Sequence, residues 1–121
     1  PNFKRRGKNN MKRDINLFIQ DILENITNIE SFAKGLNKEK FESDKLRQSA
    51  IVRQLEIIGE AVKNIPNSFR ENYPKIPWKE IAGFRDILSH SYFAINIDKI
   101  WNIIEKDLPN LKKEIEKIKT D

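Results

Sequence analysis

Cysteine is absent from this sequence, so disulfides and thiolate metal sites are excluded. A single histidine, His90, likewise rules out a zinc site built from several imidazoles. No apolar run approaches the roughly 18 residues needed to cross a bilayer, and the polar, basic start has nothing of a secretory signal. The expectation is a cytoplasmic protein with no membrane association. The four glycines are scattered and form no phosphate-cradling loop, and there is no internal repeat or low-complexity tract. Alternation of apolar and polar residues at strand spacing is also missing.

Apolar residues make up 38% of the 121 and charged residues 34%, enough for one modest core under a very polar surface. The net charge of +5 is unevenly placed. Lys4, Arg5, Arg6 and Lys8 supply four of those charges, leaving 19 Lys and Arg against 18 Asp and Glu in the rest. The basic pI is therefore weak evidence for nucleic-acid binding. Met11 reads as a natural start, which makes residues 1–10 a disordered or appended extension. The alternative is a basic arm that touches nucleic acid. Residues 11–121 are expected to form one domain.

That domain reads as an all-α bundle of four main helices plus a short one. Ile15, Phe18, Ile19, Ile22, Ile26, Ile29 and Ala33 share an arc of about 100°, the width of one core-facing stripe, and Gly35 is a natural stop. Ser43 or Asp44 can cap a second helix that ends before Pro66. Its apolar residues, Leu46, Ala50, Ile51, Leu55, Ile57, Ile58, Ala61, Val62 and Ile65, cover about half the circumference. Such a helix is either the centre of the bundle or shared with a second subunit. Arg47 and Gln54 fall within that arc, and either reach solvent at its edge or point into a polar pocket or dimer seam.

A short helix is expected around Ser68–Asn72, and Pro77 suits the first position of a helix running from Trp78 to His90. Asn96 can cap the last helix. Its stripe of Ile97, Ile100, Trp101, Ile104, Leu108, Leu111, Ile115 and Ile118 keeps one phase past Pro109, which predicts a single helix kinked there.

The helix from Trp78 carries the chemistry. Arg85 lies among Trp78, Ile81, Ala82, Leu88 and Tyr92, and a long cation on a packed face snorkels or finds a partner. On an ideal helix His90 is about 140° further round, so one chain's Arg85 and His90 diverge unless the helix ends or a second chain completes the site. A plainer reading makes His90 a partner of the helix dipole or of Asp86, and Tyr92 one more stripe residue.

The segment Arg85-Asp-Ile-Leu-Ser-His90-Ser-Tyr92 resembles the signature of the HEPN superfamily, specifically the HepT-like toxin ribonucleases: arginine, four residues, histidine, one residue, tyrosine. Gln54-Leu-Glu-Ile-Ile-Gly-Glu-Ala-Val-Lys-Asn-Ile-Pro66 resembles the family's second helix, and Asp107-Leu-Pro109 also fits. Two departures are Ser91, where the family often has an acid, and Ala94-Ile95-Asn96, where it often has Gly-Ile-Asp.

The resemblance implies metal-independent RNA cleavage by Arg85 and His90 in a homodimer; Asp86, Ser89, Arg47 and Gln54 are candidate supporting residues. It needs no cofactor. It further implies control by a minimal nucleotidyltransferase antitoxin that transfers AMP from ATP to Tyr92. The rival functions are a non-catalytic helical adaptor that binds a nucleotidyltransferase, and a nucleotide-binding module with Arg85 on phosphate.

Overall fold

The computed structural model describes residues 7–86 and 96–118, with side chains from Asp14 onward. Every regular element among them is helical. α1 (Gly7–Ala33) is the long first helix. It begins within the basic extension, eight residues ahead of Ile15, the first residue of the expected stripe. Ile15, Ile19, Ile22, Ile26 and Ile29 bury the predicted stripe, and Gly35 turns the chain at φ +80°, where a side chain would be strained.

A helix that the sequence pattern did not reveal follows. α2 (Lys38–Ser43) is capped by Asn37, whose side chain accepts a hydrogen bond from the Lys40 amide. Six residues are too few to display a period, so its evidence is the cap and one anchor. Phe41 is fully buried, with its ring 5.5 Å from that of Trp101. Asp44 caps α3 (Lys45–Lys63) by accepting from the Arg47 amide, which decides between the two expected caps.

α3 is the centre of the bundle. It packs on α1, on α2, on α5 (Trp78–Ala82) and on the 3-10 turn Gly83–Asp86 that continues α5. Its broad apolar face is thus covered largely by its own chain, with Leu46 left 82% exposed and Ile57 half-buried. The C-terminal end of α3 is closed by Arg70 from α4 (Asn67–Arg70), whose Nε donates to the Ile65 carbonyl at 2.9 Å and Nη2 to that of Val62 at 2.6 Å. A cation is well placed against those carbonyls.

The last helical run consists of α6 (Ile97–Asn102), capped by Asn96, a π-turn (Ile103–Asp107) and α7 (Leu108–Glu116). Proline has no N–H to donate, and its ring crowds the carbonyl four residues back, here that of Glu105. The kink expected at Pro109 therefore takes the form of a wider turn immediately before it. The extra residue moves the stripe's phase: Ile103, outside the expected stripe, is 3% exposed, while Ile104 is only half-buried. No helix among the described residues is long and apolar enough to cross a membrane.

Candidate active site

Arg85 is held at the junction of α3 with the 3-10 turn, and local geometry explains its place. A 3-10 turn repeats every three residues. Phe84, in that turn, continues the buried line of Trp78 and Ile81 on α5 at a spacing of three. Phe84 takes the packed position, and Arg85 is displaced to the exposed side rather than lying within the stripe as an ideal α-helix would put it. Trp78 fixes the start of this element by donating from Nε1 to the carbonyls of Arg70 and Tyr73, both at 3.1 Å.

Gly59 sets the depth of the approach. A Cβ at that position would lie 2.6 Å from the Arg85 amide nitrogen and 3.1 Å from the Ala82 carbonyl oxygen, so the turn rests directly on the α3 backbone. The next residue holds the side chain. Glu60 Oε2 is 3.3 Å from Arg85 Nε, with both groups about half exposed. Sequence reasoning missed Gly59 and Glu60, although both stand in the segment matching the family's second helix. A mid-helix glycine, disfavoured there for its flexibility, was the available signal.

Arg85 opens onto a groove of about 390 Å³ between α1 and α3. Phe18, Ile57 and Ala61 form its apolar part, and Asp21, Arg53, Glu56, Glu60 and Asn64 its polar part. It thus offers two guanidinium groups, which can grip a phosphate, beside apolar surface on which a base can rest.

The other candidates are distributed elsewhere. Arg47 pairs with Asp44 at 2.6 Å, thirteen residues and about 20 Å along α3 from Glu60. Gln54 accepts from Asn28 Nδ2 at 3.1 Å and joins α3 to α1. Neither meets Arg85. Asp86 follows Arg85 in the 3-10 turn and is half-buried. Ser89, His90 and Tyr92 lie outside the described residues, as do Leu88 and Ser91.

A family model described as "Ribonuclease HepT-like" matches residues 22–118. Among curated relatives, "Probable ribonuclease HepT" of Thermococcus cleftensis is 45% identical over 109 residues, covering 90% of this chain and 99% of its own length. A protein of Methanocaldococcus jannaschii named "Putative RNase" is 47% identical over 110 residues, 91% of each chain. Another from that organism, "Gamma-glutamylcyclotransferase and putative RNase", is 45% identical over 108 residues. That match covers 89% of this chain but only 49% of the relative, so this chain spans about half of that longer protein. No solved structure matches the chain.

Proposed function

The chain belongs to the HepT-like ribonuclease family, and from that membership we propose that it is an endoribonuclease toxin cleaving single-stranded RNA without a metal ion. The observation that carries the reading is the seating of Arg85: the first residue of the Arg-(four residues)-His-Ser-Tyr motif is packed by its backbone against Gly59 and opens onto a groove. A guanidinium there binds the scissile phosphate and stabilises the charge that develops on it. An unperturbed imidazole changes charge near neutrality, which suits His90 to take the proton from the attacking RNA 2′-hydroxyl or give one to the leaving 5′-oxygen. The 2′-oxygen to phosphorus bond forms as the bond from phosphorus to the 5′-oxygen breaks, leaving a 2′,3′-cyclic phosphate.

One histidine per chain supplies one of those two proton transfers, and a homodimer with His90 from both chains supplies both. The partner in this reading is a minimal nucleotidyltransferase antitoxin. It transfers AMP from ATP to Tyr92, placing a phosphodiester charge and a bulky nucleoside beside His90, where they repel and exclude RNA.

The test is cleavage of a labelled single-stranded RNA by purified protein in chelator, with the product ends identified by mass. Cyclic phosphate ends, lost in Arg85→Ala and in His90→Ala with helicity intact, support the proposal. Cleavage that needs added magnesium, or that survives both substitutions, refutes it. For the antitoxin, incubation with the nucleotidyltransferase and ATP should add one or more AMP masses to the wild type and none to Tyr92→Phe.

A further inference from the structure

We infer that Glu60 is the positioning residue for Arg85: its carboxylate holds the guanidinium by Nε and turns the two Nη groups toward the phosphate of a bound RNA. The inference rests on the ribonuclease reading above and deepens it.

Three observations carry it. The contact is to Nε, at 3.3 Å from Glu60 Oε2. A guanidinium is planar, with a side edge that includes Nε and a far edge formed by the two Nη groups. A carboxylate at Nε occupies the side edge, fixes the plane and leaves the far edge for a bidentate grip on phosphate oxygens. Second, the pair is about half exposed at both ends, at 49% and 57% of the side chains, so solvent screens it and it contributes little to folding. Its consequence is orientation. Third, the adjoining Gly59 brings the Arg85 backbone onto α3, with only 2.6 Å between the amide nitrogen and any Cβ at 59. Gly59 and Glu60 together thus locate both the backbone and the head group of Arg85. The groove also holds Asp21 and Glu56, so a long, unpaired arginine could turn to other carboxylates, and Glu60 restricts that choice.

The charge balance gives the pairing a direction. The groove's three carboxylates, Asp21, Glu56 and Glu60, outnumber its two guanidinium groups, Arg53 and Arg85. Removing Glu60 makes it less negative and should favour RNA binding, whereas losing the orientation of Arg85 should slow the chemical step. A positioning role therefore moves kcat down without raising KM, a pattern that loss of simple binding does not produce, and unchanged helicity and urea midpoint separate it from loss of fold.

The experiment compares Glu60→Ala and Glu60→Gln with wild type in two ways. The first is steady-state cleavage of a short single-stranded RNA, with kcat and KM resolved. The second is the Arg85 Nε–Hε correlation in an 15N spectrum, assigned by its loss in Arg85→Lys. Glu60→Ala should lower kcat by about ten- to a hundredfold with KM unchanged or smaller, and should shift or broaden the Arg85 signal. Glu60→Gln, whose amide oxygen keeps a polar partner beside Nε without the charge, should recover part of kcat. An unchanged kcat, or a loss appearing only as a raised KM, overturns positioning. An unmoved Arg85 signal in Glu60→Ala overturns the pairing itself. Wild-type protein that cleaves no RNA overturns the ribonuclease reading and the kinetic role of Glu60 with it, and the spectrum then separates that failure from a failure of the pair.

Discussion

Gly59 shows how one missing methyl group can decide where a candidate catalytic side chain goes. Within a helix, glycine to alanine ordinarily stabilises by about 1 kcal/mol through lost backbone freedom. Here the added Cβ would be 2.6 Å from the Arg85 nitrogen and 3.1 Å from the Ala82 oxygen, both main-chain atoms that cannot rotate away. Gly59→Ala should therefore destabilise by about 1–3 kcal/mol, an overpacking cost, and should lower cleavage by moving Arg85. Urea denaturation checks the sign, and a more stable variant with full activity would refute it. Asp44 offers a prediction in pH. The Arg47 amide bonded to its carboxylate, and then the Arg47 side chain, hold it below the ordinary carboxylate value. A group depressed on folding contributes stability above its unfolded pKa and loses it as pH falls through the folded one. Asp44→Asn keeps a good cap but no titrating charge. The difference in urea midpoint between wild type and this variant should therefore shrink from about pH 6 towards about pH 3. A gap that stays constant would show that the charge of Asp44 is not involved.

The helices that were legible in the sequence are those long enough to declare a period. α1 and α3 each keep a stripe over several turns, and the structure buries those stripes with few exceptions. α2 was not legible, because six residues make less than two turns and Phe41 is its one buried side chain. Its hold on the fold is nonetheless specific. Phe41 meets Trp101, Gln48 Nε2 donates to the Phe41 and Glu42 carbonyls at 2.8 and 3.0 Å, and Lys38 pairs with Asp98 on α6. Phe41→Ala should cost about 3–5 kcal/mol, measured by urea denaturation. A loss below about 1 kcal/mol would mean that α2 is only loosely attached. The site was half legible. The motif singled out Arg85 as a candidate, but an assumed regular α-helix put it inside the apolar stripe. The tightening at Gly83 instead buries Phe84 and frees the arginine. A change of helix type shifts phase by 20° per residue, and nothing in the local residue types announces it. The π-turn before Pro109 misled in the same manner, exchanging Ile104 for Ile103.

For the assembled protein, the half-covered circumference of α3 was one reason to expect a dimer, and the bundle itself now covers most of that face. What still favours two chains in the proposed mechanism is chemical: the sequence has one histidine, and an imidazole is suited to each of the two proton transfers that mechanism needs. If both His90 side chains serve one site across the two-fold axis, a mixed dimer of wild type and His90→Ala has one imidazole where two are needed. Refolding wild type with a fivefold excess of His90→Ala puts about five in six wild-type chains into such a mixed dimer, by random pairing. Activity per wild-type chain should then fall by more than about fivefold, since losing one general acid or base costs on the order of a hundredfold. Refolding with an inert protein of similar size controls for losses in handling. Activity per wild-type chain that stays constant as His90→Ala is added would mean that each chain is self-sufficient. The second proton would then pass through water, and dimerisation would have no part in the chemistry.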